Sequence, residues 1–329
     1  MSPLAPLLQA FFTDRLVNQR HASPHTIAAY RDTFRLLLGF LNTDTGKPPA
    51  ALDIADLDAP RIAAFLDHLE RDRHNSVATR NARLAAVHSF FGHAALHDPE
   101  HAGLIARVLA IPEKRSDTGD VCFLTEAEVA ALLAAPDRSI WIGRRDHALL
   151  LLDIQTGLRL SELIGLTRAD VEFGTAPHVG CRGKGRKSRI TPLTKQTVAV
   201  LRVWLTERGG QPSDPLFPTR TGRPLSPDTV EYLLAKHVAT AGQQCPSLQG
   251  KHVTPHTLRH TAAMRLLEAG VDTSVIALWL GHESVKTTQI YLHAHLAIKE
   301  RALARTASPT STPGRYRAPD TLLAFLENL

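Results

Sequence analysis

The amino-acid sequence predicts a mainly α-helical protein of two domains that carries one small β-hairpin. Apolar residues recur at helical spacing along most of the 329 residues. A polar stretch without periodicity interrupts this pattern at residues 111–121, where Pro and Gly also indicate an interdomain linker. Residues 178–193 depart from the helical pattern, because two strand-like arms flank a turn that is rich in glycine and charge.

Composition narrows the class of partner and the compartment. The formal net charge of +6 favours a polyanionic partner, and the hydrophobic fraction of 43% supports a core in each domain. No apolar run approaches the roughly 20 residues of a membrane span, and the start M-S-P-L-A-P is unlike a signal peptide. Cys122, Cys181 and Cys245 lie far apart, which predicts neither a disulfide framework nor a zinc-ligand set. We therefore expect a cytoplasmic protein.

Residues 1–110 are predicted to form a helical domain, with four helices in the first hundred residues. Ser23-Pro24 indicates a helix start, because a capping side chain followed by proline favours the first helical turn. The fourth helix is predicted to run over about residues 76–96. Its outward face carries Arg80 and Arg83, which suit either solvent or a phosphate backbone.

A second, larger domain is predicted over residues 122–305, after the linker at 111–121. Its first helix is indicated by the capping box Thr125-x-x-Glu128. It is mostly helical apart from the hairpin, whose turn G-K-G-R-K is basic. The charged residues of that turn are Lys184, Arg186 and Lys187.

Residues 306–329 are predicted to form a flexible spacer that leads into a short amphipathic helix. Asp320 is placed to cap this helix, and one face carries the apolar residues Leu322, Phe325, Leu326 and Leu329. A helix of about ten residues is unstable alone, so its apolar face needs a surface to pack against. Both its own domain and a neighbouring protomer remain open as that surface.

The segment T-P-H-T-L-R-H places basic side chains at a helix start. Thr254 is the predicted N-cap, Pro255 follows it, and His256 and Arg259 lie three residues apart on one face. The unpaired N–H groups and the positive end of the helix dipole favour an anion, and the imidazole and guanidinium extend that site. The structural alternative is a capping or surface histidine beside an arginine that forms an ion pair.

The spacing of His252, His256 and His260 also raises the question of a zinc site, because histidines four residues apart on a helix can share a metal. His252, however, precedes the helix cap and is out of register with the other two. No nearby carboxylate or cysteine completes a ligand set on the same face. The sequence therefore predicts no metal site here.

Three further segments present polar side chains beside rigid elements. In T-G-L-R-L-S-E-L, glycine ends an apolar helix and sets Arg159 at the next helix start, with Glu162 three residues on. Lys184 lies between two glycines, where its flexible ammonium can reach into a cleft. In L-G-H-E-S-V-K-T-T-Q-I-Y, His282 follows a helix stop and Tyr291 lies nine residues later. The structural alternatives are an ion pair, a solvated turn lysine, a capping histidine and a half-buried aromatic.

Taken in order, these segments give an arginine, a lysine on a β-turn, H-x-x-R, G-H and a tyrosine. Over about residues 120–295 this order resembles the catalytic domain of the tyrosine recombinases, the phage-integrase family of site-specific DNA recombinases. The first domain, with S-P-H-T-I-A-A-Y and N-A-R-L-A-A-V-H-S-F-F, is similar to the SAM-like core-binding domain of that family. The resemblance implies a mainly α fold with a small sheet, built from these two domains.

The resemblance also implies catalytic roles. Tyr291 would attack the scissile phosphate and form a 3′-phosphotyrosyl link, while Arg159 and Arg259 would clamp the phosphate oxygens. His282 would donate a hydrogen bond to the phosphate. Because a phenol has a pKa near 10 and the attacked phosphate gains negative charge, the reaction requires such cations.

Other positions of the motif imply supporting roles. Lys184 would protonate the departing 5′-oxygen, His256 would take part in proton transfer from the tyrosine, and Glu162 would orient Arg159 or a histidine. The resemblance implies neither a metal nor a nucleotide cofactor. The candidate DNA-binding residues are Arg80, Arg83, Arg186 and Lys187.

Because every motif position is filled, we expect an active recombinase or integrase that serves the integration, excision or transposition of a mobile element. The alternatives left open are chromosome-dimer resolution, a type IB-like topoisomerase that relaxes supercoils, and a non-catalytic DNA-binding regulator. The expected partners are double-stranded DNA with specific recombination sites and further copies of the chain. We expect a tetramer in the synapse, a monomer or weak dimer when free, and association with the nucleoid.

Overall fold

The computed structural model of the chain describes residues 3–115, 121–182 and 188–281. It divides the chain into two compact units, Met1–Thr118 and Gly119–Leu329. The predicted spacer and helix at residues 306–329 lie outside the described residues. So do five candidate site residues, namely Lys184, Arg186, Lys187, His282 and Tyr291.

The first unit is helical, as predicted. Its helices are α1 (Leu4–Ala10), which continues as π-helical turns over Phe11–Gln19, α2 (Pro24–Thr45), α3 (Ala59–Arg71), α4 (Val77–Ala94) and α5 (Ala102–Leu109). The helix start predicted at Ser23 is confirmed, because Ser23 Oγ accepts a hydrogen bond from the backbone N–H of Thr26. The same helix ends at Gly46, which has a φ of 71°.

Aromatic side chains fill the core of the first unit. Phe11, Phe34 and Phe90 are at most 2% exposed. The ring centroids of Phe34 and Phe90 lie 5.3 Å apart in an edge-to-face arrangement, which adds to the free energy gained from burial. Helices α2 and α4 therefore pack through large, rigid side chains.

The structure corrects the prediction that α4 presents Arg80 outward. Arg80 is only 5% exposed, and its Nη1 donates to the backbone carbonyl of Pro112 at 3.1 Å. Arg83 is partly buried and donates from Nη1 to the carbonyl of Ala29 in α2 at 2.9 Å. Helical periodicity did not reveal this burial, because a long arginine stem can reach a carbonyl of another segment. Arg80 therefore anchors the chain that follows α5 and is not an exposed phosphate contact.

The second unit combines helices with a small sheet. Its helices are α6 (Glu126–Ala134), α7 (Trp141–Thr156), α8 (Leu160–Ile164), α9 (Lys195–Arg208), α10 (Pro227–Gly242), α11 (Pro255–Glu268) and α12 (Thr273–Leu280). The predicted capping box is confirmed, because Thr125 Oγ1 and the Glu128 carboxylate each accept the other residue's backbone N–H. Helix α7 is the central element, since it packs against both α9 and α11.

The sheet has three antiparallel strands in the order β1-β2-β3. The strands are β1 (Val171–Glu172), β2 (His178–Arg182) and β3 (Ser188–Pro192). Strands β2 and β3 confirm the two arms of the predicted hairpin, with Val179 opposite Thr191. Strand β1 was not predicted, because two residues carry no detectable alternation. In the described part of the chain, no helix is both long and apolar enough to cross a membrane.

Candidate active site

The segment between α7 and α8 and the N-terminal end of α11 border a cleft of about 310 Å³. The cleft brings together three of the predicted catalytic residues, Arg159, His256 and Arg259. Its other lining residues are Leu158, Leu160, Glu231, Thr254 and Pro255. The predicted cap of α11 is present, since Thr254 Oγ1 accepts the backbone N–H of Thr257 at 3.2 Å. A helix start and two guanidinium groups therefore converge on one space.

Gly157 fixes the geometry on one side of the cleft. It ends α7 with a φ of 61°, a backbone conformation that residues with a side chain rarely adopt. A Cβ at this position would lie 2.8 Å from Leu280 Cδ2 and 2.9 Å from the Cβ of Ala262. The chain can therefore turn toward Arg159 here only because residue 157 has no side chain.

Arg259 is held by the C-terminal ends of two helices. Its side chain lies deep in the unit, with the residue only 3% exposed. Its Nη1 donates to the carbonyl of Gly157 at 2.6 Å and its Nη2 to the carbonyl of Leu280 at 2.7 Å. Carbonyl groups at helix C-termini carry partial negative charge, so they stabilise a buried guanidinium and fix its plane.

Arg159 is the more exposed of the two arginines, with 34% of its side chain accessible. Its Nη1 donates to Glu162 Oε1 at 2.9 Å, and its Nη2 donates to the carbonyl of Gly281 at 2.8 Å. The other carboxylate oxygen, Glu162 Oε2, accepts the backbone N–H of Arg159 at 2.8 Å. The contact expected between Glu162 and Arg159 is thus present, through both the side chain and the backbone.

A third arginine, which was not predicted from the sequence, contacts the same carboxylate. Arg189 of β3 donates from Nη1 and Nη2 to Glu162 at 3.0 and 2.8 Å. Burial alone would raise the pKa of Glu162, but the Arg159 backbone N–H and the Arg189 guanidinium hold that pKa below its usual value. The carboxylate is therefore ionised and shared between two cations. Alternation in the short arm S-R-I-T-P could have indicated an inward side chain, but not its partner.

His256 and His260 lie one turn apart at the start of α11, with ring centroids 4.6 Å apart. Burial, followed by the positive charges of Arg259 and Arg159, lowers the pKa of His256 below the ordinary value of 6.5. Burial and the neighbouring His256 and Arg259 lower the pKa of His260 to about 4. Both imidazoles are therefore neutral at pH 7. Within the described residues, no group of three His, Cys, Asp or Glu side chains is placed to hold a metal.

Sequence reasoning also missed Asp153, a buried acid whose pKa is influenced by the charge of Arg259. It is 1% exposed near the end of α7, and within the described residues its Oδ1 has no hydrogen-bond partner. Burial raises its pKa to about 8, and only the positive charge of Arg259 opposes this shift. The carboxyl group is therefore mostly protonated at pH 7. Its signal in the sequence was a single acid within the apolar run A-L-L-L-L-D-I.

Comparisons with known proteins match both units. The Phage integrase family model matches residues 122–297, and the model of the phage integrase N-terminal SAM-like domain matches residues 10–97. A predicted integrase/recombinase of Sinorhizobium fredii, y4rC, is 58% identical over 326 residues, which cover 99% of this chain and 98% of that protein. The tyrosine recombinase XerC of Chlamydia trachomatis is 33% identical over 309 residues, which cover 88% of this chain and 94% of XerC.

Solved structures share the fold at low sequence identity. The XerH site-specific recombinase, in a post-cleavage complex with its difH substrate, matches with a TM-score of 0.70 at 20% identity over 87% of this chain and 81% of that one. The Tn1549 transposon integrase in complex with circular intermediate DNA also matches with a TM-score of 0.70, at 19% identity over 93% and 100% of the two chains. The family match over more than half of the sequence and the 33% identity with XerC show that the chain belongs to the phage integrase family of tyrosine recombinases, enzymes that cleave and rejoin DNA strands.

Proposed function

We propose that the protein is a site-specific recombinase that cleaves double-stranded DNA through Tyr291 and a 3′-phosphotyrosyl intermediate. The observation that carries this proposal is the cleft in which Arg159 and Arg259 converge beside His256. Guanidinium groups bind phosphate oxygens through paired hydrogen bonds, so two of them at one cleft suit a phosphodiester. Family membership supplies the class of reaction.

The two arginines stabilise the charge that develops on the non-bridging oxygens during attack. Arg259 is held by the carbonyls of Gly157 and Leu280, so little reorganisation is needed when that charge appears. Arg159 is oriented by Glu162 and remains partly accessible to the cleft. His282 completes this set by donating a hydrogen bond to the phosphate.

Proton transfers accompany the exchange of bonds at phosphorus. The neutral imidazole of His256 accepts the phenolic proton as the Tyr291 oxygen bonds to phosphorus. The bond from phosphorus to the 5′-oxygen breaks, and Lys184 supplies the proton to that oxygen. The new phosphodiester retains the energy of the broken one, so a 5′-hydroxyl can reverse the step without a metal or a nucleotide cofactor.

The DNA-binding surface has contributions from both units in this proposal. Arg186 and Lys187 contact the phosphate backbone from the hairpin tip, and Arg83 contributes from the first unit. Arg80 supports this surface only by anchoring the chain at Pro112. Each contact that neutralises a phosphate is expected to steepen the salt dependence of binding by about 0.9 in log–log slope.

For the biological role we propose integration, excision or transposition of a mobile element. The 58% identity with a predicted integrase/recombinase supports this role, and the fold shared with a transposon integrase is consistent with it. A role in chromosome-dimer resolution is the second candidate, because XerC is 33% identical over most of the chain. In either role two DNA sites are exchanged by a tetramer assembled from free monomers or weak dimers, in the cytoplasm at the nucleoid.

Covalent capture tests the proposal directly. The full-length protein is incubated with nicked duplexes that tile the DNA flanking its gene, adducts are isolated under denaturing conditions, and the attached DNA is sequenced. We expect one recurrent cleavage site, with protein joined to the 3′ end. Sites at the two ends of an element would support mobilisation, whereas one chromosomal site would support dimer resolution.

Two tyrosine variants control this experiment. Tyr291→Phe removes a single oxygen and should bind the captured duplex normally without forming an adduct. Tyr232→Phe changes an exposed tyrosine of α10, 73% accessible, and should form adducts at the wild-type rate. Adducts at normal yield in Tyr291→Phe would remove Tyr291 from the mechanism. Relaxation of any plasmid without a preferred cleavage site would favour a topoisomerase instead.

A further inference from the structure

Arg189 lies on β3, an element that carries none of the predicted catalytic residues. Its side chain is 12% exposed, and Nη1 and Nη2 both donate to the carboxylate of Glu162. Its Nε has no hydrogen-bond partner among the described residues. The position of this guanidinium therefore depends mainly on its two bonds to Glu162.

Glu162 receives four donors, two from Arg159 and two from Arg189. Its side chain is 4% exposed, so water screens this cluster poorly. Two guanidinium cations and one carboxylate leave one net positive charge, and Arg159 is the more accessible cation at 34% against 12%. Without Arg189, the carboxylate would pair with Arg159 alone and cancel the charge that a phosphate requires.

Arg189 also lies against Gly281, the residue after α12. Gly281 has a φ of 65°, and a Cβ built there would overlap the Arg189 guanidinium. The carbonyl of Gly281 accepts the hydrogen bond from Arg159 Nη2 at 2.8 Å. Arg189 therefore supports both groups that orient Arg159, the Glu162 carboxylate and the Gly281 carbonyl.

We propose that Arg189 is a positioning residue, which neutralises Glu162 and supports Gly281 so that Arg159 keeps its orientation and its positive charge for the scissile phosphate. This inference rests on the proposed function of the cleft. In this role Arg189 acts through Glu162 and Gly281. The role depends on charge balance, so it can be separated from a simple loss of packing.

A charge-balance rescue tests the proposal, using the full-length protein and a nicked duplex obtained by covalent capture. Arg189→Gln should slow single-turnover adduct formation by roughly 100-fold, the usual effect of losing one preorganised donor. Adding Glu162→Gln removes the carboxylate that has lost its second cation. The double variant should therefore form adducts about tenfold faster than Arg189→Gln alone, a coupling that a double-mutant cycle measures.

Three further measurements separate positioning from loss of structure. Arg202→Gln is the matched control, because Arg202 lies in the same unit and its side chain contacts the carbonyl and ring of Phe173. Its adduct rate should stay at the wild-type value. Arg189→Lys retains the charge but not the paired geometry and should fall between wild type and Arg189→Gln. Duplex affinity should change less than threefold in Arg189→Gln, since one indirect contact is small beside many phosphate contacts.

The nature of the leaving group gives a second readout. Arg189→Gln should slow adduct formation by the same factor on an ordinary phosphodiester and on one whose 5′-oxygen is replaced by sulfur. The expected defect is in the stabilisation of charge on the phosphate, so it should not depend on protonation of the leaving group. A defect confined to the oxygen substrate would overturn the proposal, because it would mean that Arg189 acts through Lys184, the residue proposed to protonate the leaving group. A double variant slower than Arg189→Gln would also overturn it. Failure of wild-type protein to form any adduct would instead refute the proposed function, so the two failures are distinguishable.

Discussion

A buried carboxyl group in each unit has contrasting surroundings. In the first unit the carboxylate of Asp56 accepts hydrogen bonds from the Lys47 ammonium and the Asp53 backbone N–H. In the second unit the carboxyl group of Asp153 is 1% exposed, and its Oδ1 has no hydrogen-bond partner within the described residues. A buried carboxyl group without such partners has a strongly shifted pKa, a feature that is characteristic of functional sites. Asp56 therefore stabilises the first unit as an ionised, paired group, whereas Asp153 of the second unit is mostly protonated at pH 7.

The largest difference between the two units is expected in the rate of adduct formation when an arginine of each is replaced. Arg259→Gln is expected to slow single-turnover adduct formation roughly 1,000-fold, because it removes a preorganised cation from the phosphate. Arg83→Gln should weaken duplex binding slightly, and the slope of log K against log salt should become shallower by about 0.9, the value for one phosphate contact. Adduct formation at saturating protein should be nearly unchanged. Denaturing gels of adduct against time measure both rates. Comparable slowing in the two variants would mean that Arg83 contributes to cleavage as much as Arg259 does.

Two helix-ending glycines give the next largest contrast. Gly157→Ala should lower the free energy of unfolding by about 3 kcal/mol, because strain at positive φ adds to overlap with Leu280 and Ala262. Gly46→Ala has a similar φ of 71° but no atom within 4 Å of the new Cβ, so we expect a loss of about 1 kcal/mol. Denaturant unfolding of each variant provides the comparison. Equal losses would show that backbone strain alone matters and that the close approach at Gly157 is unimportant.

Replacing a buried carboxyl group by an amide should change the stability of the two units in opposite directions. The pKa of Asp153 is raised from 3.8 to about 8, so the folded state retains a proton that the unfolded chain releases, and stability falls as pH rises across that window. Asp153→Asn should therefore be more stable than wild type at pH 7, with the gain shrinking toward pH 4.

The matched substitution in the first unit is Asp56→Asn. Burial acts to raise the pKa of Asp56, but the Asp53 backbone N–H and Lys47 outweigh it and lower that pKa below 3.8. This variant should lose stability at pH 7, and the loss should disappear as pH falls below the native pKa. Thermal unfolding at several pH values tests both carboxyl groups. A destabilised Asp153→Asn would mean that the buried acid is ionised and paired.

The smallest expected effect is on the pH profile of cleavage. Because burial and neighbouring arginines lower the pKa of His256 below 6.5, the adduct rate should not change between pH 8 and 7 and should decline only at pH values below 6.5. The residual rate of adduct formation in His256→Gln should not fall in this way at low pH. A wild-type rate that already halves near pH 7 would contradict a neutral His256.

Local signals in the sequence predicted much of this architecture. The cap at Ser23, the capping box at Thr125 and the stop at Gly157 each depend on neighbouring residues, and the structure confirms all three. Arg159 and Arg259 were identifiable because the order of the motifs that contain them resembles the tyrosine recombinases. Features that depend on distant chain segments could not be found in this way.

The missed residues illustrate that limit. Arg189 reaches Glu162 across 27 positions of sequence, and Arg80 reaches Pro112 across 32. The pKa of Asp153 depends on how deeply α7 is packed, which periodicity does not report. In each case a long side chain or a tertiary environment decided the outcome, and neither leaves a short-range pattern.

In the proposed mechanism the cleft of the second unit serves a tyrosine nucleophile at position 291. The chain contains four tyrosines, namely Tyr30, Tyr232, Tyr291 and Tyr316. Mass spectrometry of trypsin-digested covalent adduct identifies which one carries the nucleotide, because Tyr291 is the only tyrosine in the peptide from residue 287 to residue 299. We predict a nucleotide remnant on that peptide alone. A remnant on Tyr232 or another tyrosine, or adduct that survives in Tyr291→Phe, would contradict the account.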